Sequence, residues 1–232
     1  RVVQMYRSVT DHTVDAPRRC PSFDQLYGRP TFGYGMRPTP LVAAAARCVP
    51  AGGTALDLGA GAGRDSMELA RQGLKVTAID QSARGIARLR DSARQAGVER
   101  SIDAHVSDVC DLAWRERLYD LIVAITLLDH LDQVRLRRVW DAMCCSLRPS
   151  GLLCVEVHTT DDPGAHRRQG RDCRAPISET AGHVRHYFQP GELQDMAMAS
   201  LKVLKYEERT EWDQTHGRPH QHAKASLLAS GP

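Results

Sequence analysis

The segment Ala55-Leu-Asp-Leu-Gly-Ala-Gly-Ala-Gly-Arg-Asp65 constrains the fold of this chain more than any other. It starts with the apolar residues of a buried strand, passes through Gly59, Gly61 and Gly63, and continues with helix formers at 67–70. Strand, glycine turn and helix in this order form the first half of a nucleotide-binding crossover. Glycine tolerates a positive φ and lets a ligand approach the backbone, and the helix start offers free N–H groups. The segment therefore predicts an α/β fold with a ligand at the turn.

Two details of this turn narrow the choice of ligand. The glycine spacing is Gly-x-Gly-x-Gly, whereas dinucleotide-binding turns have Gly-x-Gly-x-x-Gly. Asp57 stands two positions before Gly59, where a carboxylate would repel a pyrophosphate but attract an ammonium group. A nucleoside with a cationic amino-acid tail is the ligand that these residues favour. Asp57-Leu-Gly-Ala-Gly-Ala-Gly63 resembles the first motif of the class I S-adenosylmethionine (SAM)-dependent methyltransferases.

The second predicted strand, Lys75-Val-Thr-Ala-Ile79, ends at Asp80. An acid at this strand tip grips a ribose diol, because a carboxylate can accept from both hydroxyls. A helix cap is the alternative role, but Ser82 is better placed to cap the next helix. Ala78-Ile-Asp-Gln-Ser82 also resembles the second motif of the same family.

Further cofactor contacts follow from the resemblance. It implies that the acid after the third strand contacts the adenine amino group, which favours Asp108, with Val109 beside the ring and Asp111 as the competing acid. The fourth strand, Tyr119–Ile125, resembles the fourth motif, and its tip should lie beside the first strand at the ligand crevice. The predicted cofactor-binding residues are Asp57, Gly59, Ala60, Gly61, Gly63, Asp80, Gln81, Asp108, Val109, Ile125 and Thr126.

Five βα-type units and a terminal strand pair predict an α/β, Rossmann-like fold with a seven-stranded, mostly parallel sheet and helices on both faces. The family resemblance implies the order 3-2-1-4-5-7-6, with the last strand antiparallel. We expect a single domain with an N-terminal arm or lid (1–36), a SAM-binding core (37–158), an insertion over the substrate site (159–189) and a C-terminal strand pair (190–232). Phe188-Gln-Pro-Gly-Glu-Leu193, Val203-Leu-Lys-Tyr-Glu-Glu208 and the His-rich end resemble the tellurite-resistance branch of the family.

The arm holds many of the chain's few aromatic residues, among them Tyr6, Tyr27, Phe32 and Tyr34. These side chains either pin an irregular arm to the domain or form a lid over the ligand, and the sequence leaves both open. Under the lid hypothesis, Tyr6 is a candidate substrate contact.

For the methyl transfer that the family resemblance implies, the chemistry of the acceptor decides whether a catalytic base is needed. A soft nucleophile, such as a thiol or a reduced selenium or tellurium species, needs little base, whereas an oxygen or nitrogen nucleophile needs one. Candidates for the base are His130 and His158, which follow strands at the ligand edge, and His183 or His186 in the insertion. Each is equally compatible with a packed or solvated histidine.

Three histidines near the C-terminal strand form a second candidate cluster. His220 and His222 share one face if both lie on the strand, and His216 can fold back across a turn. A solvated hairpin end, a metal-free substrate site and a divalent-metal site are all compatible with this pattern. No carboxylate spacing nearby reinforces a metal, so we predict none. We expect the cluster to contact the methyl acceptor together with His183, Arg185 and His186 of the insertion.

Composition and charge indicate which partners and which cellular compartment to expect. The chain has 232 residues, a net charge of +3 and 25% charged residues, so charge does not indicate a nucleic-acid partner. It has neither an apolar run of about 18 residues nor a signal-peptide core at its start, so we expect no membrane association. Seven cysteines without a Cys-x-x-Cys pair, together with the nucleotide-binding pattern, favour a reducing cytoplasm.

The predicted function is therefore a SAM-dependent methyltransferase that acts on a small-molecule acceptor, as a monomer or homodimer, and releases S-adenosylhomocysteine (SAH). The acceptor is a soft sulfur, selenium or tellurium nucleophile, or the nitrogen or oxygen of a metabolite. A non-catalytic SAM-binding regulator is one alternative. A nicotinamide-dependent oxidoreductase is another, against which Asp57 and the glycine spacing argue.

Overall fold

The computed structural model of the chain describes residues 20–170 and 177–231. Seven strands form one sheet in the order β3-β2-β1-β4-β5-β7-β6. Strands β1 to β5 are parallel, and β7 runs antiparallel to both of its neighbours. The predicted fold and strand order are thereby confirmed. The strands are β1 Thr54–Leu58, β2 Lys75–Asp80, β3 Ile102–Val106, β4 Tyr119–Ile125, β5 Leu147–His158, β6 Lys202–Asp213 and β7 His220–Ser230.

Helices cover both faces of this sheet. Their bounds are α1 Phe23–Tyr27, α2 Pro40–Ala46, α3 Arg64–Arg71, α4 Ala83–Gln95, α5 Gln133–Ser146, α6 Pro163–Arg168 and α7 Glu192–Met198. Helices α5 and α7 pack on one face, while α2, α3 and α4 pack on the other. Within the described ranges, no helix has the length and apolar character needed to cross a bilayer.

The central strands β1 and β4 are largely apolar because both of their faces are buried. In β1, Leu56 points into the core beneath α5, whereas Ala55 points into the core beneath α2 and α3. In β4, Ile122 points into the core beneath α5, and Leu121 points into the core beneath α2 and α3. The near-continuous apolar runs read from the sequence therefore correspond to central strands of a parallel sheet.

Several predicted boundaries differ from the structure. The apolar patterns of the sequence predict a helix over 40–49, a fifth strand from Leu152, a sixth strand that ends at Glu207 and a turn from Trp212 to Gly217. In the structure, α2 ends at Ala46, β5 begins at Leu147 and β6 continues to Asp213. The predicted start of the turn is therefore wrong. Tertiary pairing explains the longer strands, because β6 and β7 remain hydrogen-bonded from Lys202–Ser230 to Asp213–His220.

The described part of the arm is also less irregular than predicted. Ser22 caps the short helix α1: its Oγ accepts from the backbone N–H of Gln25 at 3.2 Å. The Gln25 side chain accepts in return from the Ser22 N–H at 2.9 Å. This is a capping box, whose signature Ser-x-x-Gln was present in the sequence and missed.

A buried charge cluster joins the three strands that carry the C-terminal half of the sheet. Glu156 of β5 is buried and contacts Arg209 of β6 at 2.7 Å and Lys224 of β7 at 3.1 Å. Burial alone would raise the pKa of Glu156, but the charges of Lys224 and Arg209 outweigh it and lower that pKa to about 2. Glu211 contacts the same two cations at the exposed side of the cluster.

We expect Glu156→Gln to lower the free energy of unfolding by about 2 kcal/mol, measured by urea denaturation. This is less than the roughly 3–5 kcal/mol typical of a broken buried pair, because Glu211 still contacts both cations. The pKa of Glu156 is lower in the folded chain than its ordinary value of 4.5. The difference between wild type and variant should therefore be full above pH 4.5 and shrink as the pH falls toward about 2.

The control for this prediction is Glu207→Gln, which removes a carboxylate paired with Lys205 on the exposed side of β6. It should change stability by less than about 0.5 kcal/mol. An equal loss in the two variants, or a Glu156 effect that is constant between pH 2 and pH 5, would contradict the proposed role of the cluster.

Candidate active site

A cavity of about 440 Å³ opens at the edge of the sheet where the parallel strands end. This volume lies within the range of about 300–1,000 Å³ that is typical of small-molecule sites. The tips of β1, β2, β4 and β5 form one part of its wall, and residues of β6 and β7 form another. Aromatic residues of the arm complete the wall, among them Phe23, Tyr27, Phe32 and Tyr34. The arm therefore packs on the domain and also borders the cavity.

The glycine turn adopts the conformation that its sequence predicted. Gly59, Gly61 and Gly63 all have positive φ, at 71°, 55° and 87°. A Cβ atom at Gly61 would lie 2.1 Å from the hydroxyl of Tyr27, so the arm packs directly against the turn. Gly59 and Ala60 border the cavity, whereas Gly61 and Gly63 lie outside its lining.

Asp80 links the turn to the next helix. One carboxylate oxygen accepts from the Gly61 N–H at 2.8 Å, and the other accepts from the Ser82 N–H at 2.7 Å. Ser82 caps α4, as predicted, through the N–H of Gly85. Asp80 also borders the cavity beside Gln81. Its carboxylate therefore has a structural role in addition to the expected contact with a ribose.

Asp57 is a buried acid that borders the cavity below the turn. Its Oδ2 accepts from the Ser66 hydroxyl at 2.5 Å. Burial is the larger cause and the nearby charge of Asp65 the smaller cause that together raise the pKa of Asp57 to about 7. Within the described ranges this carboxylate forms no ion pair, whereas Asp65 pairs with Arg64. A cationic group in the cavity would give the Asp57 charge the partner that the protein does not supply.

Asp108 and Val109 border the cavity after β3, together with Ser107. The competing acid Asp111 is exposed and lies outside the lining. The Asp108 carboxylate accepts from the Cys110 N–H at 2.9 Å and is ion-paired with Arg135 of α5. The sequence reasoning missed Arg135, because only the packing of α5 brings it to the tip of β3.

The end of β4 carries a strained residue. Thr126 has a φ of 50°, which is unusual for a β-branched side chain, and its N–H donates to Glu156 O at 2.7 Å. Thr126 and Ile125 both border the cavity, as expected. Strained residues of this kind concentrate at functional sites, where the surrounding structure holds them in place.

A buried carboxylate–histidine pair lies in the same region. Asp129 is fully buried, and its Oδ2 accepts from Nδ1 of His158 and, at 3.2 Å, from the His158 backbone N–H. Burial would raise the pKa of Asp129, but His130 and His158 lower it to about 2. Burial would lower the pKa of His158, yet the Asp129 charge raises it above 6.5.

Three of the four histidines predicted as candidate bases, His130, His158 and His183, differ in position. His158 and His130 border the cavity, whereas His183 does not. His183 contacts the Pro21 carbonyl through Nε2 at 2.7 Å and packs on Phe23. Burial lowers the pKa of His130, and its Nδ1 has no hydrogen-bond partner in the described part of the chain. Asp129, next to His130 in the sequence, was not recognised as the partner of His158.

The C-terminal histidines lie inside the protein. His216, His220 and His222 are 3%, 1% and 5% exposed, so a solvated hairpin end was the wrong alternative. His222 borders the cavity, and His216 and His220 pack next to it with ring centroids 6.5 Å and 4.7 Å away. Burial lowers the pKa of His222, and it lowers the pKa of His216 to about 4.

Two of the predicted substrate residues lie elsewhere. Arg185 and His186 border a separate depression of about 360 Å³ beside α6. The His186 side chain pairs there with Glu192 at 2.6 Å. The backbone N–H groups of Arg185 and His186 nevertheless donate to the Asp129 carbonyl oxygen. This segment therefore helps to position the residue that pairs with His158. Tyr6 lies outside the described residues.

Sequence and structure comparisons match this architecture to known proteins. Residues 55–151 match the family model described as a methyltransferase domain. The chain is 30% identical over 182 residues to Hemagglutinin 1 of Eikenella corrodens, which covers 76% of this chain and 54% of that protein. It is 33% identical over 165 residues to the ubiquinone biosynthesis O-methyltransferase of Xanthomonas axonopodis pv. citri (strain 306), with 69% and 66% covered. TehB from Haemophilus influenzae is a similar solved structure, with a TM-score of 0.65, 22% identity, and 82% and 61% covered.

The chain spans about half to two thirds of the length of these two curated relatives. At 22% identity, the similarity to TehB is one of fold. The matched domain covers the glycine turn and strands β1 to β4, which together form the end of the cavity bordered by Asp57, Asp80 and Asp108. The domain match and the strand order agree: residues 55–151 form a methyltransferase domain, and the chain has the fold of the class I methyltransferases, the family whose cofactor is S-adenosylmethionine.

Proposed function

We propose that the chain transfers a methyl group from SAM to a hydroxyl group of a small-molecule acceptor. One observation carries this proposal: a single cavity is bordered both by the acidic tips of β1, β2 and β3 and by the His158 side chain that Asp129 orients. A cofactor held at the first group of residues and an acceptor held at the second would occupy one enclosed space.

The acidic residues at one end of the cavity suit the polar groups of SAM. Asp80 has free lone pairs for a ribose diol besides those that accept from Gly61 and Ser82. Asp108 can accept from an exocyclic amino group such as that of adenine. Asp57 is a buried acid without a cationic partner in the described structure, which suits the ammonium group of the amino-acid tail. The same acid would disfavour the pyrophosphate of a nicotinamide dinucleotide.

His158 is the residue that we assign to the acceptor proton. Bound SAM supplies a methyl group already activated on a sulfonium sulfur. Asp129 accepts from Nδ1 of His158, which leaves Nε2 as the nitrogen with a free lone pair. Nε2 would take the proton that the acceptor hydroxyl loses when it receives the methyl group. Positioning the hydroxyl in line would supply much of the remaining rate enhancement.

The buried pair favours an oxygen acceptor over a soft one. A thiol or a reduced selenium or tellurium species needs little base, and a fully buried charged aspartate is costly to retain without a function. The name of the Xanthomonas relative, an O-methyltransferase, supports the same choice. The six described cysteines are free thiols, which supports the expectation of a reducing cytoplasm.

Binding and turnover experiments separate this proposal from its alternatives. We expect calorimetry to show SAH binding and no comparable NADH binding, because Asp57 disfavours a pyrophosphate. Labelled SAM with a panel of phenols, alcohols and thiols should show transfer to a hydroxyl compound. NADH binding without SAH binding would support an oxidoreductase. SAH binding without transfer to any acceptor class would support a non-catalytic SAM-binding regulator.

Asp80→Ala should weaken SAH binding by about 10- to 150-fold, which corresponds to the loss of charged hydrogen bonds worth about 1.5–3 kcal/mol. Since Asp80 also holds the turn, Asp80→Asn serves as a companion variant that keeps the shape and should have a smaller effect. The control is Asp103→Ala, which removes an exposed acid from neighbouring β3. Calorimetry measures all three, and unchanged affinity in folded Asp80→Ala protein would exclude the ribose role.

His158→Ala should lower kcat by about 10²- to 10⁴-fold while SAH affinity stays nearly constant, since a general base acts only on the acceptor. Asp129→Asn should also lower kcat, because an amide stabilises the His158 tautomer that is protonated on Nδ1 less well than a carboxylate does. His105→Ala removes an exposed histidine of β3 and is the matched control. If a hydroxyl acceptor is methylated equally fast by wild type and His158→Ala, the assignment of His158 as the base fails.

A further inference from the structure

Two histidine nitrogens in the C-terminal cluster face each other without a hydrogen between them. Nδ1 of His220 lies 2.7 Å from the Arg218 carbonyl oxygen, which can only accept, so this nitrogen carries the proton. Nδ1 of His222 lies 2.9 Å from the Asp162 carboxylate and is a donor for the same reason. In the neutral rings both Nε2 atoms are therefore acceptors, and they lie 3.0 Å apart. Two lone pairs at this distance repel each other unless a cation lies between them.

Two further ligand groups point toward the same place. The Asp213 Oδ1 atom accepts from the backbone N–H and the hydroxyl of Thr215, both at 2.7 Å, which leaves Oδ2 for other partners. That Oδ2 lies 3.5 Å from Nδ1 of His216 and 4.0 Å from Nε2 of His222. One ligand atom from each of Asp213, His216, His220 and His222 lies within 4.8 Å of the others.

From these contacts we infer that Asp213, His216, His220 and His222 bind a divalent transition-metal ion, with zinc as the best-fitting ion. Zinc binds nitrogen and oxygen ligands at about 2.0–2.2 Å, so neighbouring ligand atoms of a tetrahedral site lie about 3.3 Å apart. The distances of 3.0, 3.5 and 4.0 Å in the cluster approach this spacing and need only small side-chain shifts. Three imidazoles and one carboxylate are a donor set suited to zinc and its first-row neighbours.

The surroundings of the cluster also resemble those of metal sites. Ligating histidines generally donate their second ring N–H to a carboxylate or a backbone carbonyl, which fixes the tautomer. Asp162 does this for His222, Arg218 O does it for His220, and Nε2 of His216 lies 3.2 Å from the Ser178 hydroxyl. The sequence predicted no metal because no acidic spacing was apparent near the histidines. Strand pairing brings Asp213 of β6 opposite His220, and the N-terminus of α6 brings Asp162 behind His222.

A second group of possible ligands overlaps the first and is less suitable. His158, Asp162 and His222 also have ligand atoms within 4.8 Å of one another. In that group, however, Asp162 already accepts from Nδ1 of His222, and Nδ1 of His158 is held by Asp129. Assigning the metal to the Asp213 group keeps these hydrogen bonds and leaves His158 free for the acceptor.

The inferred ion would lie in the wall of the cavity, since Asp213 and His222 both border it. The four ligands contain none of the residues assigned to SAM, so metal binding and the proposed methyl transfer can fail independently. The competing explanation for the short nitrogen–nitrogen distance is one proton shared by His220 and His222, which predicts no metal uptake.

The test uses the full chain without a histidine tag, stripped by a chelator and dialysed. Titration with zinc chloride in a calorimeter should show saturable uptake, and elemental analysis should then find about one ion per chain. Cobalt(II) loading should give visible absorption bands of a low-coordinate nitrogen–oxygen site, a readout that is independent of enzyme activity. Zinc should also raise Tm, because a ligand that binds only the folded state stabilises it.

Three variants identify the site. His220→Ala combined with His222→Ala should abolish uptake. Asp162→Asn should weaken it by about 10- to 100-fold, the usual effect of losing a partner of a ligating histidine. Asparagine still caps α6, so this variant should fold even if the double variant does not. His105→Ala, on the exposed side of β3, should bind zinc like the wild type. Absence of uptake by the wild type, or unchanged affinity in Asp162→Asn, would overturn the assignment.

Discussion

The hydrogen bonds of the Asp80 carboxylate hold the glycine turn and the start of α4 together, and the rest of the site depends on this connection. The carboxylate accepts from Gly61 in the turn and from Ser82 at the start of α4. The Ser82 hydroxyl in turn donates to Asp24 of α1, so the same acid indirectly anchors the arm. Tyr27 of that arm lies against Gly61. One carboxylate therefore couples the turn, a helix start and a wall of the cavity.

The other end of the cavity depends on the position of β7 between β5 and β6. Antiparallel pairing places Lys224 beside His158 and places His220 beside Asp213. Charged groups that are far apart in the chain become direct partners in this way, as Glu156 and Lys224 do in the charge cluster. Charged groups are costly to bury, and here each acid is offset by a cation or a hydrogen-bond donor. The same strand insertion gathers the histidines into the inferred metal site.

The two ends of the cavity differ in how well the sequence predicted them. Asp57 and Asp80 were predicted from local order, because the ends of parallel strands face the ligand edge, and Asp108 was predicted from the family resemblance. All three border the cavity. The acceptor end depends on contacts between residues that are distant in the sequence. His158 was a candidate base, but its partner Asp129 was overlooked, and Arg185 and His186 border a different depression. Asp162 lies in the predicted insertion (159–189) and was given no role, although it caps α6 and orients His222.

The sequence by itself determined the fold class, the seven-stranded arrangement through its resemblance to a family, and three acids that border one end of the cavity, Asp57, Asp80 and Asp108. Strand–turn–helix order, glycine spacing and acid position are all local, and local patterns survive in the sequence. Only the tertiary structure decided that His216, His220 and His222 are buried, that Asp213 and Asp162 accompany them, and that Asp129 holds His158. Those relations arise from the register of β5, β7 and β6, and hydrophobic periodicity does not encode which residues two strands place side by side.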